Sequence, residues 1–270
     1  MGNSGLTRRG FLGAAGTGLA VSVSGCSSSD TDGASSDMSD IDIAKPVVQS
    51  DNMDGWKETN AREMKLSAQL GTTPYVSFRT FENVAFRSRV RGLTLGEFDS
   101  PLAKFFAAHI DLRGFTTIGA TPERLVGPAA EELKANMKQS GIQNIHEVDV
   151  GMNISASAKQ TREYEGEFHY DGFSATMEDE RAGKITLEIE GGSLRVRGFV
   201  STWKEDSGTG FAAGGAYPAE PFRKSSSTSI TGEPGVGLDL KLSADLDLDP
   251  AARRAEIVAL SDAVTVEAED

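Results

Sequence analysis

The densest group of ionisable side chains in the sequence is the run Glu163-Tyr164-Glu165-Gly166-Glu167-Phe168-His169-Tyr170-Asp171. Drawn as a strand, it puts Glu163, Glu165, Glu167, His169 and Asp171 on one face and Tyr164, Phe168 and Tyr170 on the other, because side chains alternate with a period of two. Carboxylate oxygens suit calcium and imidazole suits transition metals. Glu165, Glu167, His169 and Asp171 are therefore candidate ligands of a divalent cation, and with it of a metal-dependent enzyme or cation-binding protein. The same alternation also describes a half-buried strand whose acidic face is hydrated and whose aromatics point inward. That plainer reading needs no ligand.

Other motifs carry less chemistry. Asp245-Leu246-Asp247-Leu248-Asp249 has the alternating aspartates that open a calcium loop, but Pro250 stands where such a loop needs glycine, so a strand running into a capped helix explains it better. The only histidines are His109, His146 and His169, and none has the spacing of a zinc pair. No G-x-S-x-G elbow occurs, and the glycines of GGAY do not open a helix, which a phosphate cradle requires. Trp203, Phe211 and Tyr217 fit either the lining of a ligand cleft or ordinary core packing. Asn153-Ile154-Ser155 is an acceptor sequence for N-glycosylation.

The remaining reactive group is Cys26, the single cysteine. It follows Thr7-Arg8-Arg9-Gly10-Phe11-Leu12, then a glycine-diluted apolar stretch to Val23 that is shorter than the roughly 20 residues needed to span a bilayer, then Ser24-Gly25. This order resembles a lipoprotein signal of the twin-arginine class. The resemblance implies that the twin-arginine translocase reads Arg8 and Arg9, and that residues 1–25 are removed. Cys26 then becomes the lipid-modified first residue, fastening the chain to the outer face of the cell membrane. The rest of the chain has no cysteine, which excludes disulfides, thiolate catalysis and cysteine-ligated metal from it.

Charge points to the solvent. Asp and Glu number 40 against 27 Lys and Arg, for a net charge of −13. Such a chain repels nucleic acid phosphate, so nucleic acid is no partner. A dense carboxylate surface also stays hydrated in molar salt, where screening acts within about 3 Å. Together with the signal, this acidity resembles the exported lipoproteins of haloarchaea. The expected product is a lipid-anchored extracytoplasmic protein of a halophile, acting as a binding or assembly component for an unknown protein or small-molecule ligand, with no cofactor beyond the covalent lipid.

Residues 26–45, rich in Ser and Asp, cannot bury enough surface to offset ordering entropy and are expected to form a tether. One domain is expected over 46–270. Within it, Thr121-Pro122-Glu123 opens a helix with the stripe Leu125, Ala129, Leu133 and Met137, closed by Gly141, and a strand follows over 142–150. The alternation around Gly191-Gly192 predicts a hairpin over 185–196 with a two-residue turn, and its change of phase at Gly198-Phe199 predicts a bulge. Residues 204–209 predict a turn and GFAAGGAY a returning strand. Tyr75–Arg79 and Val84–Val90 read as a strand pair about Glu82-Asn83. LAKFFAAHIDL, residues 102–112, fits helix and strand equally. Residues 237–249 read as strand, and Asp249-Pro250 caps a helix through about Leu260. These elements predict an α+β fold, an antiparallel sheet with helices packed on one face. Their order resembles that of PsbP-like domains, the fold of an extrinsic photosystem protein.

Overall fold

Strands dominate because apolar residues recur at every second position through most of the chain, and in several segments at every position. The computed structural model describes residues 43–49, 51–65, 75–94, 96, 98–111, 121–150, 159–179, 183–205, 208–231 and 237–267. In chain order the elements are β1 (Pro46–Val48), a 3-10 turn (Asp51–Met53), β2 (Trp56–Lys65), β3 (Tyr75–Asn83), α1 (Val84–Leu93), β4 (Lys104–Asp111), α2 (Pro122–Gln139), β5 (Ile142–Val148), β6 (Gln160–Tyr170), β7 (Phe173–Asp179), β8 (Gly183–Ile189), β9 (Gly192–Lys204), β10 (Thr209–Pro218), β11 (Arg223–Thr231), β12 (Gly237–Asp245), α3 (Pro250–Asp262) and β13 (Val264–Val266). They belong to one compact unit over 42–270, and the first strand starts at Pro46, where the domain is expected to begin. Arg8, Arg9, Cys26, the tether up to Asp42 and Asn153 lie outside the described residues. Among the described residues no helix is long and apolar enough to cross a membrane.

The frame is a seven-stranded antiparallel sheet in the order β2-β3-β4-β10-β9-β6-β5. Its central strands carry apolar side chains at both parities, so both faces have to be covered. Val76, Phe78, Phe106, Ala108, Val196, Val200 and Ala212 pack on one face with Leu125, Leu133 and Met137 of α2. Phe105, Phe199, Phe211 and Ala213 pack on the other with Phe86 and Val90 of α1 and Ile257 and Leu260 of α3. The α+β class and the antiparallel sheet agree with the expectation, but the helices are divided between the faces and not gathered on one. LAKFFAAHIDL matches two periodicities for the same reason: as β4 it is a central strand, buried on both sides.

The helix ends follow local chemistry. Pro122 starts α2 in the first turn, and Gly141, with φ of +84°, takes the left-handed conformation just past its end. Asp249 caps α3 through Oδ1, which accepts from the Ala252 amide at 3.0 Å. Val84–Val90 is not the second strand of a pair. Asn83 Oδ1 accepts from the Phe86 amide at 2.9 Å, and Phe86 and Val90, four apart, are buried on one helical face.

The expected hairpin over 185–196 does not form as such. β8 pairs with β7, while β9 pairs with β6 and β10. Tyr170 lies opposite Gly192, and three residues further along each strand Phe173 lies opposite Ile189, so β6–β7 and β8–β9 are the two arms of one long hairpin bent in the middle. At the bend the backbones nearly touch. A Cβ on Gly172 would stand 2.6 Å from the Ile189 oxygen and one on Gly191 2.9 Å from the Tyr170 oxygen. Gly191-Gly192 therefore permits a close crossing and is not a turn. Nor is there a bulge at Gly198-Phe199, where the register of β9 is unbroken with both neighbours. The phase changes there because β9 passes from one covered face to two. The irregularities of the sheet lie in β2, between Glu58 and Asn60, and in β5, between Gln143 and His146, which are its two edge strands.

β11 and β12 form a second hairpin, and β1 pairs with β13 so that the two ends of the fold meet. The Ala44 carbonyl, just before β1, accepts from His109 Nδ1 at 2.8 Å.

Candidate functional site

The acidic run occupies β6 from Glu163 onward and the one residue after it, Asp171, next to the edge strand β5. Its side chains go separate ways. Glu165 accepts from Arg197 Nε at 2.9 Å. Glu167 accepts from Asn144 Nδ2 at 3.0 Å, and His169 Nε2 stands 3.8 Å from the same carboxylate oxygen in an exposed position. Asp171 is exposed beyond the strand end. Among the described residues no three His, Cys, Asp or Glu side chains are grouped as a metal ion requires. The four candidate ligands are thus spread along a partly buried strand and just past its end, and are partly occupied by basic or amide partners.

Glu163, the first acid of the run, behaves differently. It is fully buried under α3, with Arg197 Nη1 at 3.8 Å and Arg254 Nη2 of α3 at 3.7 Å. The Tyr217 hydroxyl donates to Glu163 Oε1 at 3.4 Å. Burial, then the negative charge of Glu163, pushes the Tyr217 hydroxyl up to about 12. Two guanidinium groups and a phenol offset the desolvation of this carboxylate, and together they tie β6, β9 and β10 to α3. A second carboxylate ties α3 from its own side: Glu256 Oε1 accepts from Trp56 Nε1 at 2.6 Å and Asn83 Nδ2 at 3.1 Å, and its Oε2 faces Arg253 Nη1 at 2.5 Å. In both clusters the carboxylate is neutralised by its partners; Glu163 is fully buried, while the arginines remain partly exposed. The two clusters position α3 and offer no acid or base to a substrate.

The same face holds Ser77, His109 and Asp111, all buried, on adjacent strands β3 and β4. They do not make a nucleophilic triad, because His109 Nδ1 is committed to the Ala44 carbonyl. Trp203 stacks on Phe211 with ring centroids 5.3 Å apart, and Trp203, Phe211 and Tyr217 are all core residues, so the cleft reading of these aromatics gives way to packing. His146 is exposed, with Nδ1 2.9 Å from the Asn144 oxygen.

Open space lies on the other face, along α2. One crevice runs between α2 and β2–β4, floored by Val76, Phe78 and Ile110. Arg62 of β2 pairs with Glu132 of α2 beside it, and the Arg62 guanidinium lies 4.9 Å from the centre of the Phe78 ring. A second crevice opens at the C-terminal end of α2, where Met137, Asn136 and Ser140 face Phe106, Phe168, Val196 and Lys104. Burial holds the Lys104 amine below the usual lysine range; the Glu82 carboxylate acts against this, and Arg87 adds to it. An apolar recess with one displaced ionisable group is the commonest form of a binding site in an unassigned fold. Sequence inspection missed both Glu163, as distinct from its neighbours, and Lys104. The available signal for Lys104 was a single charge inside the apolar stretch LAKFFAAHI.

A search of the curated proteins and of the solved structures found no match. The family model described as a domain of unknown function, DUF6517, matches residues 45–265, from the start of β1 to the last short strand, and the chain belongs to that family.

Proposed function

We propose that this protein is exported and lipid-anchored, and that its domain works at the outer face of the cell membrane of a halophile as a binding or assembly component. The observation that carries the reading is the order of Arg8-Arg9, a weak apolar stretch, and Ser24-Gly25-Cys26 followed by a Ser/Asp-rich segment. The acidic excess supports the saline setting. The twin-arginine route carries folded proteins, which suits a domain with no disulfide to acquire outside. The likeness to PsbP-like domains belongs to the same proposal, that of an extrinsic domain held on a membrane.

The test is made in the native host. Replacing Cys26→Ser should release the protein from the membrane fraction or stop its maturation, and replacing Arg8 and Arg9 by Lys should leave the precursor inside the cell. Unchanged membrane partition of the Cys26→Ser variant, with no mass difference from an unlipidated chain, sinks the anchor. Affinity purification of the tagged, anchored protein in molar salt then reads out the partner, and recovery of the protein alone at full yield counts against the assembly role.

A further inference from the structure

We propose that β7 is a docking edge for a second copy of this chain, the two β7 strands pairing antiparallel about Thr176 so that two β7–β8 hairpins join into one four-stranded sheet. The inference goes beyond the anchoring proposal, since it rests on the described strands and an unanchored chain would pair in the same way.

The outer strands of an open sheet carry rows of unpaired amides and carbonyls, which a protein either blunts or uses. In the seven-stranded sheet both outer strands are blunted. β2 is irregular between Glu58 and Asn60, and β5 between Gln143 and His146, where Asn144 takes φ of +53°. β1 and β13 have three residues each, and β8 lies against β11 and β12. β7 has none of these protections. Its register with β8 runs unbroken from Phe173 to Asp179, it contains neither proline nor glycine, and among the described residues it pairs with β8 alone.

The order of residues along β7 selects the partner. Its only charged residues, Glu178 and Asp179, stand at one end of the strand. A parallel pair in register would set each acid against its own copy, whereas an antiparallel pair about Thr176 sets Glu178 across from Ser174 and opposes no like charges. Met177 is 49% exposed although it shares the parity of the buried Phe173 and the half-buried Ala175. In the antiparallel pair Met177 comes to lie across from the partner's Ala175, twice by symmetry, so that a large apolar side chain meets a small one. Ser174 and Thr176 line the other, exposed face of the strand.

Strand addition draws its affinity from main-chain hydrogen bonds and its specificity from alternate side chains. Many strands could satisfy the open amides of β7. A second β7 also supplies a small residue for Met177 and an uncharged hydroxyl for Glu178, in one register and from both sides at once. One strand is a narrow contact, below the roughly 1,600 Å² of a standard interface, so the dimer is weak and exchanges with monomer. The net charge of −13 sets two copies against each other at low salt, and molar salt screens that repulsion while leaving the strand contact in place.

The experiment uses the purified full chain with Cys26→Ser, so that an introduced thiol is the only one, in molar potassium chloride. Thr176→Cys brings two thiols to the symmetry axis, where the Cα atoms of facing residues stand about 5 Å apart, and mild oxidation should give a disulfide-linked dimer. Ser174→Cys, about 14 Å from its own copy in the same register, should cross-link at least about tenfold less. In the absence of an introduced thiol, sedimentation should show a reversible, concentration-dependent dimer, and Thr176→Lys, which sets two cations face to face, should return it to monomer. Melting curves in the same buffer confirm that each variant is folded. Absence of the Thr176→Cys dimer, equal cross-linking by Ser174→Cys, a dimer linked through Ser227→Cys of β11 in its place, or unchanged association of Thr176→Lys overturns the proposal. None of these outcomes bears on membrane partition, so failure here and failure of the anchor are separable.

Discussion

On one face of the sheet, α2 packs on Val196, Val200, Ala212 and Phe106 through mainly apolar contacts, and it is also met by the Arg62–Glu132 pair and by the Thr202 hydroxyl, which donates to the Pro122 oxygen. On the opposite face, α3 sits on Phe105, Phe199 and Tyr217 and is also held at two carboxylates, Glu163 reaching up from the sheet and Glu256 reaching down from the helix. The first interface is non-directional and tolerates gaps, which is why both crevices lie along α2. The second is directional. Each carboxylate needs its donors in place, which fixes the helix at one position. The two described crevices lie on the α2 side of the sheet, and the two carboxylate clusters on the α3 side.

The comparison is most severely tested by truncating a side chain on the α2 face. Leu133 is fully buried, and Leu133→Ala should destabilise the domain by about 4 kcal/mol, the lost transfer energy plus the cavity left behind. Denaturant unfolding measures it. A loss under about 1 kcal/mol would mean that α2 is loosely attached and that its crevices collapse readily.

Glu163→Gln should cost about 3 kcal/mol, since it leaves Arg197 and Arg254 facing a buried amide in place of a charge. Because the Glu163 carboxylate itself is fully buried, the cost should change less between moderate and molar salt than that of exposed pairs such as Arg223–Asp245. A loss that fades with salt would show that water reaches Glu163.

The smallest effect separates the faces by pH. Tyr217 keeps its proton in the folded state to about 12, above the ordinary tyrosine value of 10.0. The unfolded chain therefore releases that proton first, and stability falls as pH rises through the window between the two values. Tyr217→Phe should lose about 1 kcal/mol at neutral pH, from the hydroxyl bond to Glu163, and show a shallower fall of the melting temperature in that window. Lys104, on the α2 face, acts with the opposite sign. Its amine is held below the lysine value, so its burial cost is present at neutral pH and is relieved as pH rises through the folded value toward 10.5. An alkaline limb identical in wild type and Tyr217→Phe would remove the tyrosine from the account.

Locally encoded features were legible. Thr121-Pro122, Gly141 and the Leu125–Met137 stripe sufficed for α2, and Asp249-Pro250 for the start of α3. One misreading was local, Val84–Val90 taken as a strand where Asn83 caps a helix, and the others arose where a strand's partner lay far away. The hairpin placed at Gly191-Gly192 was a bent crossing, and the apparent bulge at Gly198 marked a second covered face, because alternation reports exposure and not pairing. For the candidate site, the acid run stood out in the sequence, but nothing in its spacing separates the buried Glu163 from Glu165, Glu167 and His169 near the sheet edge.

The sequence by itself determined the absence of cysteine after Cys26, the acidic excess and the class of most elements, since caps, glycines and side-chain period act within a few residues. Only the tertiary structure decided that α2 and α3 lie on opposite faces, that Arg254 meets Glu163, and that Lys104 is left beside an apolar recess. Each of those depends on bringing together groups tens of residues apart, and their energies exist only after the chain has closed those distances and withdrawn the groups from water.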